Sequence, residues 1–180
     1  MKYMASFKVC IFGDAGVGKT SLTYRYITNR FIQDTKLTLG VDIVAKDISI
    51  EQYRIKLQIW DFGGEDRFKV FLPVYARGSS GGIFMYDLTR KNSLDNIRLW
   101  INIFKKNLTD EDGEIPILGV GGKKDLSKER AITSENSKSL AKKNKLYDLI
   151  ECSAKTGENI EQVFESITYK MLKNANILKI

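Results

Sequence analysis

Histidine is absent from the chain. That excludes Ser-His-Asp triads, histidine metal sites and a histidine pH switch, and leaves Lys, Ser/Thr, Asp/Glu, Arg and backbone groups to carry any chemistry. Cysteine is scarce: Cys10 and Cys152 lie in apolar or motif-rich segments and read as buried reduced thiols, with a disulfide as the weaker alternative. With only 2 Pro and 14 Gly the chain is neither collagen-like nor disordered. No apolar run approaches the roughly 18 residues of a membrane span, and Met1-Lys2-Tyr3-Met4 lacks the apolar stretch of a signal peptide. The expectation is a soluble, cytoplasmic protein.

What is present fits one domain over residues 1–180, with short tails at 1–6 and 174–180: 43% hydrophobic and 28% charged residues are enough for a real core. The net charge of +7 is spread along the chain. Its densest groups, Lys105-Lys106 and Lys142-Lys143-Lys145, fall on amphipathic helical patterns, so a solvated helix face is the reading and no nucleic-acid partner is expected. A polyanion, nucleic acid or anionic lipid, is the lesser alternative.

Short β-rich runs alternate with helical periods. Strands are predicted at Phe7 to Phe12, Gly82 to Asp87, Ile115 to Val120 and Leu149 to Cys152, and a hairpin at Val41 to Ile50 and Tyr53 to Trp60. Helices are predicted at Lys19 to Asn29, from an N-cap at Ser93 through Leu94, Ile97, Ile101, Phe104 and Leu108 with Trp100 beside the stripe, at Ser134 to Lys145, and from a capping box of Asn159 and Gln162. This alternation implies an α/β fold, a six-stranded mostly parallel sheet with helices on both faces, whose ligands bind beyond the C-terminal strand ends.

The sharpest signal is Gly13-Asp14-Ala15-Gly16-Val17-Gly18-Lys19-Thr20, a G-x-x-x-x-G-K-[ST] run between a predicted strand and helix. Its glycines let backbone N–H groups face phosphate oxygens at a helix N-terminus, Lys19 supplies a point charge, and Thr20 offers a hydroxyl to Mg²⁺. Asp61, at a strand end before paired glycines, suits a second metal contact; an ordinary turn former is the alternative.

The chain resembles the Ras superfamily of small GTPases, closest to the Rab branch. The resemblance rests on the phosphate loop with Thr20-Ser21, on Thr38-Leu39-Gly40-Val41-Asp42, Trp60 to Phe68, Tyr86-Asp87-Leu88-Thr89 and Glu151 to Asn159, in the family's order from Phe7 to about Lys173. It implies a P-loop, Ras-like fold and a GTP/GDP switch with Mg²⁺ held by Thr20, Thr38 and Asp61. It also implies catalytic work by Lys19, Thr38, Gly64 and Glu65. Asp14, Ala15, Gly16, Val17, Gly18, Lys19, Thr20, Ser21, Thr35, Thr38 and Gly64 would surround the phosphates. Phe31, Lys123, Asp125, Ser153, Ala154 and Lys155 would surround the base, although Phe31 could instead be core. Effector, exchange-factor and GTPase-activating proteins would dock on the switch segments of a monomer.

Departures from the family set further expectations. Glu65 replaces the usual glutamine that orients the attacking water; a carboxylate accepts from water but cannot donate to the γ-phosphate, so intrinsic hydrolysis should be slow unless a raised pKa restores a donor. Ala15 adds bulk where glycine or serine is common. Gly122 replaces the asparagine of Asn-Lys-x-Asp, at a cost of about 1 to 3 kcal/mol in guanine binding or loop order. Thr35 stands where Rab relatives have a tyrosine over the phosphates. No arginine is marked as a finger in cis, so an activating partner would bring one. The end, Asn174 to Ile180, offers no cysteine to prenylate. Either an anchor was removed or the protein works unanchored, and its membrane association would be peripheral. The alternative function is a GTP-holding interaction module with negligible turnover, and an ATPase or kinase is weaker.

Overall fold

The unbroken apolar runs, buried on both sides, become central strands of a single sheet. The computed structural model describes residues 5–33, 37–109 and 113–178. In chain order its elements are β1 (Ala5–Phe12), α1 (Lys19–Thr28), β2 (Val41–Ile50), β3 (Tyr53–Phe62), α2 (Leu72–Tyr75), β4 (Gly81–Asp87), α3 (Lys91–Asp95), α4 (Ile97–Lys105), β5 (Ile117–Gly122), α5 (Ser134–Lys143), β6 (Asp148–Glu151) and α6 (Ile160–Asn174). The six strands lie in the order β2-β3-β1-β4-β5-β6. Only β2 and β3 pair antiparallel, turning at Glu51 with φ 54°. The other pairs are parallel, so β1, β3, β4, β5 and β6 all end on one edge. The motif-bearing loops leave from that edge, as parallel sheets require.

Alternation in β1 sends Val9 and Ile11 into one core and Cys10 and Phe12 into the other. Helices α1 and α6 cover the first face, where Tyr26 stacks on Phe164 at 3.8 Å between ring centroids. Helices α2, α3 and α4 cover the second, where Phe12 stacks on Phe104 at 4.7 Å. Every residue of β4 is buried, which explains its unbroken apolar run. Lys8 of β1 donates to the carbonyls of Tyr75 and Arg77 at 2.5 and 2.9 Å, and its ammonium lies 3.8 Å from the centre of the Trp60 ring. That lysine binds the end of α2 to the sheet.

Several local expectations need correction. Ala5 and Ser6 belong to β1 rather than to a tail, and Leu178, beyond α6, is buried in the first core. Strand β5 runs two residues later than predicted at each end, Ile117–Gly122, carrying its glycines to the site edge. The helix expected from Ser93 is two pieces, α3 and α4, and Ser93 lies inside α3. Its hydroxyl accepts from the Asp87 N–H and donates to the Arg90 carbonyl, so strand-end backbone captures the cap. Trp100 is not beside the apolar stripe but fully buried within it. Asn159 precedes α6 with φ 60° and makes no cap bond; its amide donates instead to the Glu151 carbonyl at 2.8 Å.

Arg130 grips Glu151 at the end of β6 through both terminal guanidinium nitrogens, at 2.8 and 2.5 Å, and these hydrogen bonds hold the Glu151 carboxyl below its usual value of 4.5. Because the folded value is depressed, the stabilisation is complete above 4.5 and is lost as pH falls through the folded value. Glu151→Gln should lower the unfolding free energy by about 1 kcal/mol at neutral pH, measured by urea denaturation, and the deficit should shrink below pH 4.5. A deficit that does not change with pH would show that the ion pair is not its source.

Candidate functional site

Beyond the end of β1 the backbone turns through Gly13, Gly16 and Gly18, all with positive φ. Gly13 is obligatory: a Cβ there would stand 2.1 Å from the Met85 carbonyl oxygen of β4. The loop folds over Lys19, whose ammonium donates to the carbonyls of Gly13 at 3.0 Å and Asp14 at 2.8 Å. Burial pulls the Lys19 pKa down to about 8 against the attraction of Asp61 and Asp14. Ala15, Gly16, Gly18, Lys19, Thr20 and Ser21 then line a cavity of about 80 Å³, closed on its far side by Leu37, Thr38, Gly64 and Glu65.

Three oxygen-bearing side chains meet at this cavity. The Thr20 hydroxyl donates to Asp61 Oδ2 at 2.5 Å and lies 2.6 Å from the Thr38 hydroxyl. The other Asp61 oxygen, Oδ1, is buried and has no partner among the described residues, and burial raises this carboxyl to about 6 despite the Thr20 bond. An orphaned, desolvated carboxylate oxygen beside two hydroxyls is the chemistry of a hard divalent cation, so the residues fit Mg²⁺. Among the described residues no cluster of three His, Cys, Asp or Glu offers a rival metal site.

The segments facing the loop approach it through glycines. A Cβ on Gly63 would fall 2.5 Å from the Thr38 carbonyl oxygen, and one on Gly64 would fall 2.3 Å from the Ala15 nitrogen. The Gly63 N–H donates to the Gly40 carbonyl at 2.8 Å, coupling the end of β3 to the Thr38 segment. Glu65 is engaged by Arg67, whose Nε donates to Oε2 at 2.6 Å.

A second cavity of about 340 Å³ continues from Gly16, Val17, Gly18 and Ser21 along the sheet edge. Lys123, Asp125, Ala154 and Lys155 form its other walls. Phe31 also lines it and is 37% exposed, so it is not core. Asp125 Oδ1 accepts from the buried Ser153 hydroxyl at 2.6 Å, and that hydroxyl in turn accepts from the Thr156 N–H. The Lys123 ammonium rests 2.7 Å from Asp87. Burial would raise the Asp87 carboxyl, but hydrogen bonds from Lys123 and Thr89 outweigh it and hold the group below its usual value. Arg25 on α1 reaches the Thr156 carbonyl, so the loop after β6 is braced from the phosphate side.

Sequence reading identified most of the residues that gather here; Thr35 lies outside the described residues. Asp14 lines neither cavity: its carboxylate accepts from Asn96 Nδ2 at 2.9 Å and from Trp100 Nε1 at 2.7 Å. Arg90 was missed; its guanidinium donates to the Ala15 carbonyl at 2.7 Å and so places a cation beside the phosphate loop. Met85, which lines the larger cavity, was also missed, because a buried methionine in an apolar strand carries no signal of its own.

Comparison with known proteins agrees with this geometry. The Ras family model matches residues 8–173. The chain is 36% identical to the Ras-related protein RGP2 of Oryza sativa subsp. japonica, over 92% of this chain and 75% of that protein. It is 34% identical to the GTP-binding protein ypt3 of Schizosaccharomyces pombe, over 96% and 78% of the respective lengths. The Ras-related protein rab-11.1 of Caenorhabditis elegans is 36% identical, over 98% and 83%. The chain belongs to the Ras family and is a Ras/Rab-type small GTPase.

Since Gly64 can touch the phosphate loop only without a side chain, Gly64→Ala should free the segment after it. Limited trypsin digestion should cut after Arg67 or Lys69 about tenfold faster than in the parent, because a segment that opens locally is cleaved in proportion to its open fraction. Equal cleavage rates would show that this contact does not hold the segment.

Proposed function

We propose that the protein is a guanine-nucleotide switch that binds GTP or GDP with Mg²⁺ and hydrolyses GTP slowly. The observation that carries the reading is the meeting of Thr20, Thr38 and Asp61 around an unpaired buried carboxylate oxygen, next to a buried lysine. Thr20, Thr38 and Asp61 would hold the ion, the last directly or through water. When bound, Mg²⁺ supplies positive charge to the β- and γ-phosphate oxygens. Lys19 exchanges the two loop carbonyls for phosphate oxygens, and the backbone N–H groups of the phosphate loop bind the rest of the anion. Asp125, oriented by Ser153, accepts from the two guanine donors, with Lys123 along the base and Phe31 at its edge.

Hydrolysis would be in-line attack of water on the γ-phosphorus. Glu65 can accept a proton or hydrogen bond from that water, yet its negative charge opposes the phosphate and its oxygens donate nothing. Its carboxylate is also held by Arg67. Ala15 also lines the smaller cavity, adding a methyl where glycine or serine is common. These features together also favour a second reading, a GTP-holding module without turnover.

GTP binding would require Gly64 to yield space at the Ala15 backbone and would order the Thr38 and Asp61 to Tyr75 segments against the γ-phosphate. Around them Leu37, Leu39, Ile43, Val70, Phe71 and Val74 are exposed apolar side chains, the kind of surface on which an effector or regulator docks. Among the described residues no helix is long and apolar enough to cross a membrane. The reading is of a cytoplasmic monomer whose membrane contacts are peripheral.

Protein loaded with GTP and Mg²⁺, freed of unbound nucleotide and incubated for hours, should release GDP on chromatography. Recovery of intact GTP would favour the module reading, and recovery of no guanine nucleotide would defeat both. Glu65→Gln should hydrolyse about tenfold or more faster in a single-turnover assay, since a donor reaches the developing charge. An unchanged rate would clear Glu65 of limiting the reaction.

A further inference from the structure

We propose that Met85 takes the place of the amide side chain missing at position 122, so that Met85 and Gly122 act as one coupled determinant of nucleotide affinity. The inference rests on the guanine-nucleotide reading of the larger cavity.

Met85 is 1% exposed and lies on β4, whose Asp87 is paired in register with Gly122 of β5. A Cβ on Gly122 would stand 2.6 Å from Met85 Cε and 3.0 Å from the Val17 carbonyl oxygen. A Cβ on Gly18 would stand 3.3 Å from the same Met85 methyl. The end of the thioether is therefore wedged between the phosphate loop and the strand that delivers Lys123 and Asp125. It also forms part of the wall of the 340 Å³ cavity those two residues line.

An asparagine at 122 would meet this methyl at its first side-chain carbon, so it fits only when the thioether swings aside, and here the thioether fills the space. Methionine suits such a gap because it is unbranched, adapts to an irregular shape, and makes close contacts through its methyl without a polar atom to satisfy. The two solutions differ in chemistry. An amide would add hydrogen bonds, whereas the methyl removes apolar area from water and does not distinguish one base from another. Base identity is then left to Asp125, held by Ser153, and Met85 contributes affinity through contact.

A double-mutant cycle tests the coupling. The parent, Met85→Val, Gly122→Asn and the double variant are each loaded with N-methylanthraniloyl-GDP and chased with unlabelled GDP, and each is melted without added nucleotide. Met85→Val alone should speed release by about tenfold, because it opens a void under the bound nucleotide. Gly122→Asn should not slow release while Met85 is present, but should slow it by about tenfold in the Met85→Val background. The same effect of Gly122→Asn in both backgrounds overturns the proposal. So does coupling seen in the melting temperatures but not in release, which would make the pair a packing contact only. A parent that melts cooperatively yet retains no labelled GDP would defeat the nucleotide reading itself, and that outcome is separable because the melting cycle is still read.

Discussion

A lysine ammonium sealed at the head of α1 sets the terms for everything around it. Lys19 has left water for a loop of backbone, and among the described residues the Gly13 and Asp14 carbonyls solvate it. Asp61, across the same cavity, has left water too, and one of its oxygens has no partner. Each group is under-solvated, with its pKa displaced toward neutrality, and neither is paired directly with the other. An anion would complete the first and a cation the second. The protein therefore holds in place two deficits of opposite sign that a metal-bound polyphosphate would fill together.

The parts of this arrangement that could be read from sequence are those whose spacing is dictated by backbone geometry. Gly13 must be glycine because β4 passes beneath it, and the interval from there to Lys19 is one loop and the first turn of a helix, which brings the ammonium to the loop carbonyls. The six mostly parallel strands followed from the same logic of buried runs alternating with helices, whereas their order in the sheet is visible only in the structure. What escaped was decided by tertiary contact. Ser93 has the residue type of a helix cap, yet the end of β4 offered its hydroxyl nearer partners. Asn159 was likewise taken by the Glu151 carbonyl. Asp14 occupies a variable position of its motif and looks like a ligand-facing residue, but its carboxylate serves Asn96 and Trp100. Arg90 and Met85 stand on the site only because β4 runs beside β1 and β5, and no local pattern encodes that adjacency.

The loops at the sheet edge are joined by short-range ties rather than by a continuous framework. Asp14 links the phosphate loop to the α3–α4 junction, Arg90 links it to the end of β4, and Arg25 links α1 to the turn after β6. The Thr38 segment meets the same site through a hydroxyl contact with Thr20, and the Gly64 segment through glycine backbone. Such contacts are close but carry little buried apolar area, so they can be broken and remade while the cores on the two faces stay intact. Lys8 fixes the far end of the second segment at Tyr75 and Arg77, which leaves its near end as the part free to move.

The two tryptophans of the chain occupy the two ends of this device. The Trp100 indole N–H is bonded to Asp14 in the phosphate loop, while the Trp60 ring lies under the Lys8 ammonium and 5.9 Å from the ring of Tyr75 at the end of α2. An indole's emission shifts with the charge and hydrogen bonding around it, so each ring views a different half of the cycle. Trp100 would report on the anion site and Trp60 on the segment that ends at Tyr75. The molecule thus contains two native optical probes, and replacing either one by phenylalanine would isolate the light of the other.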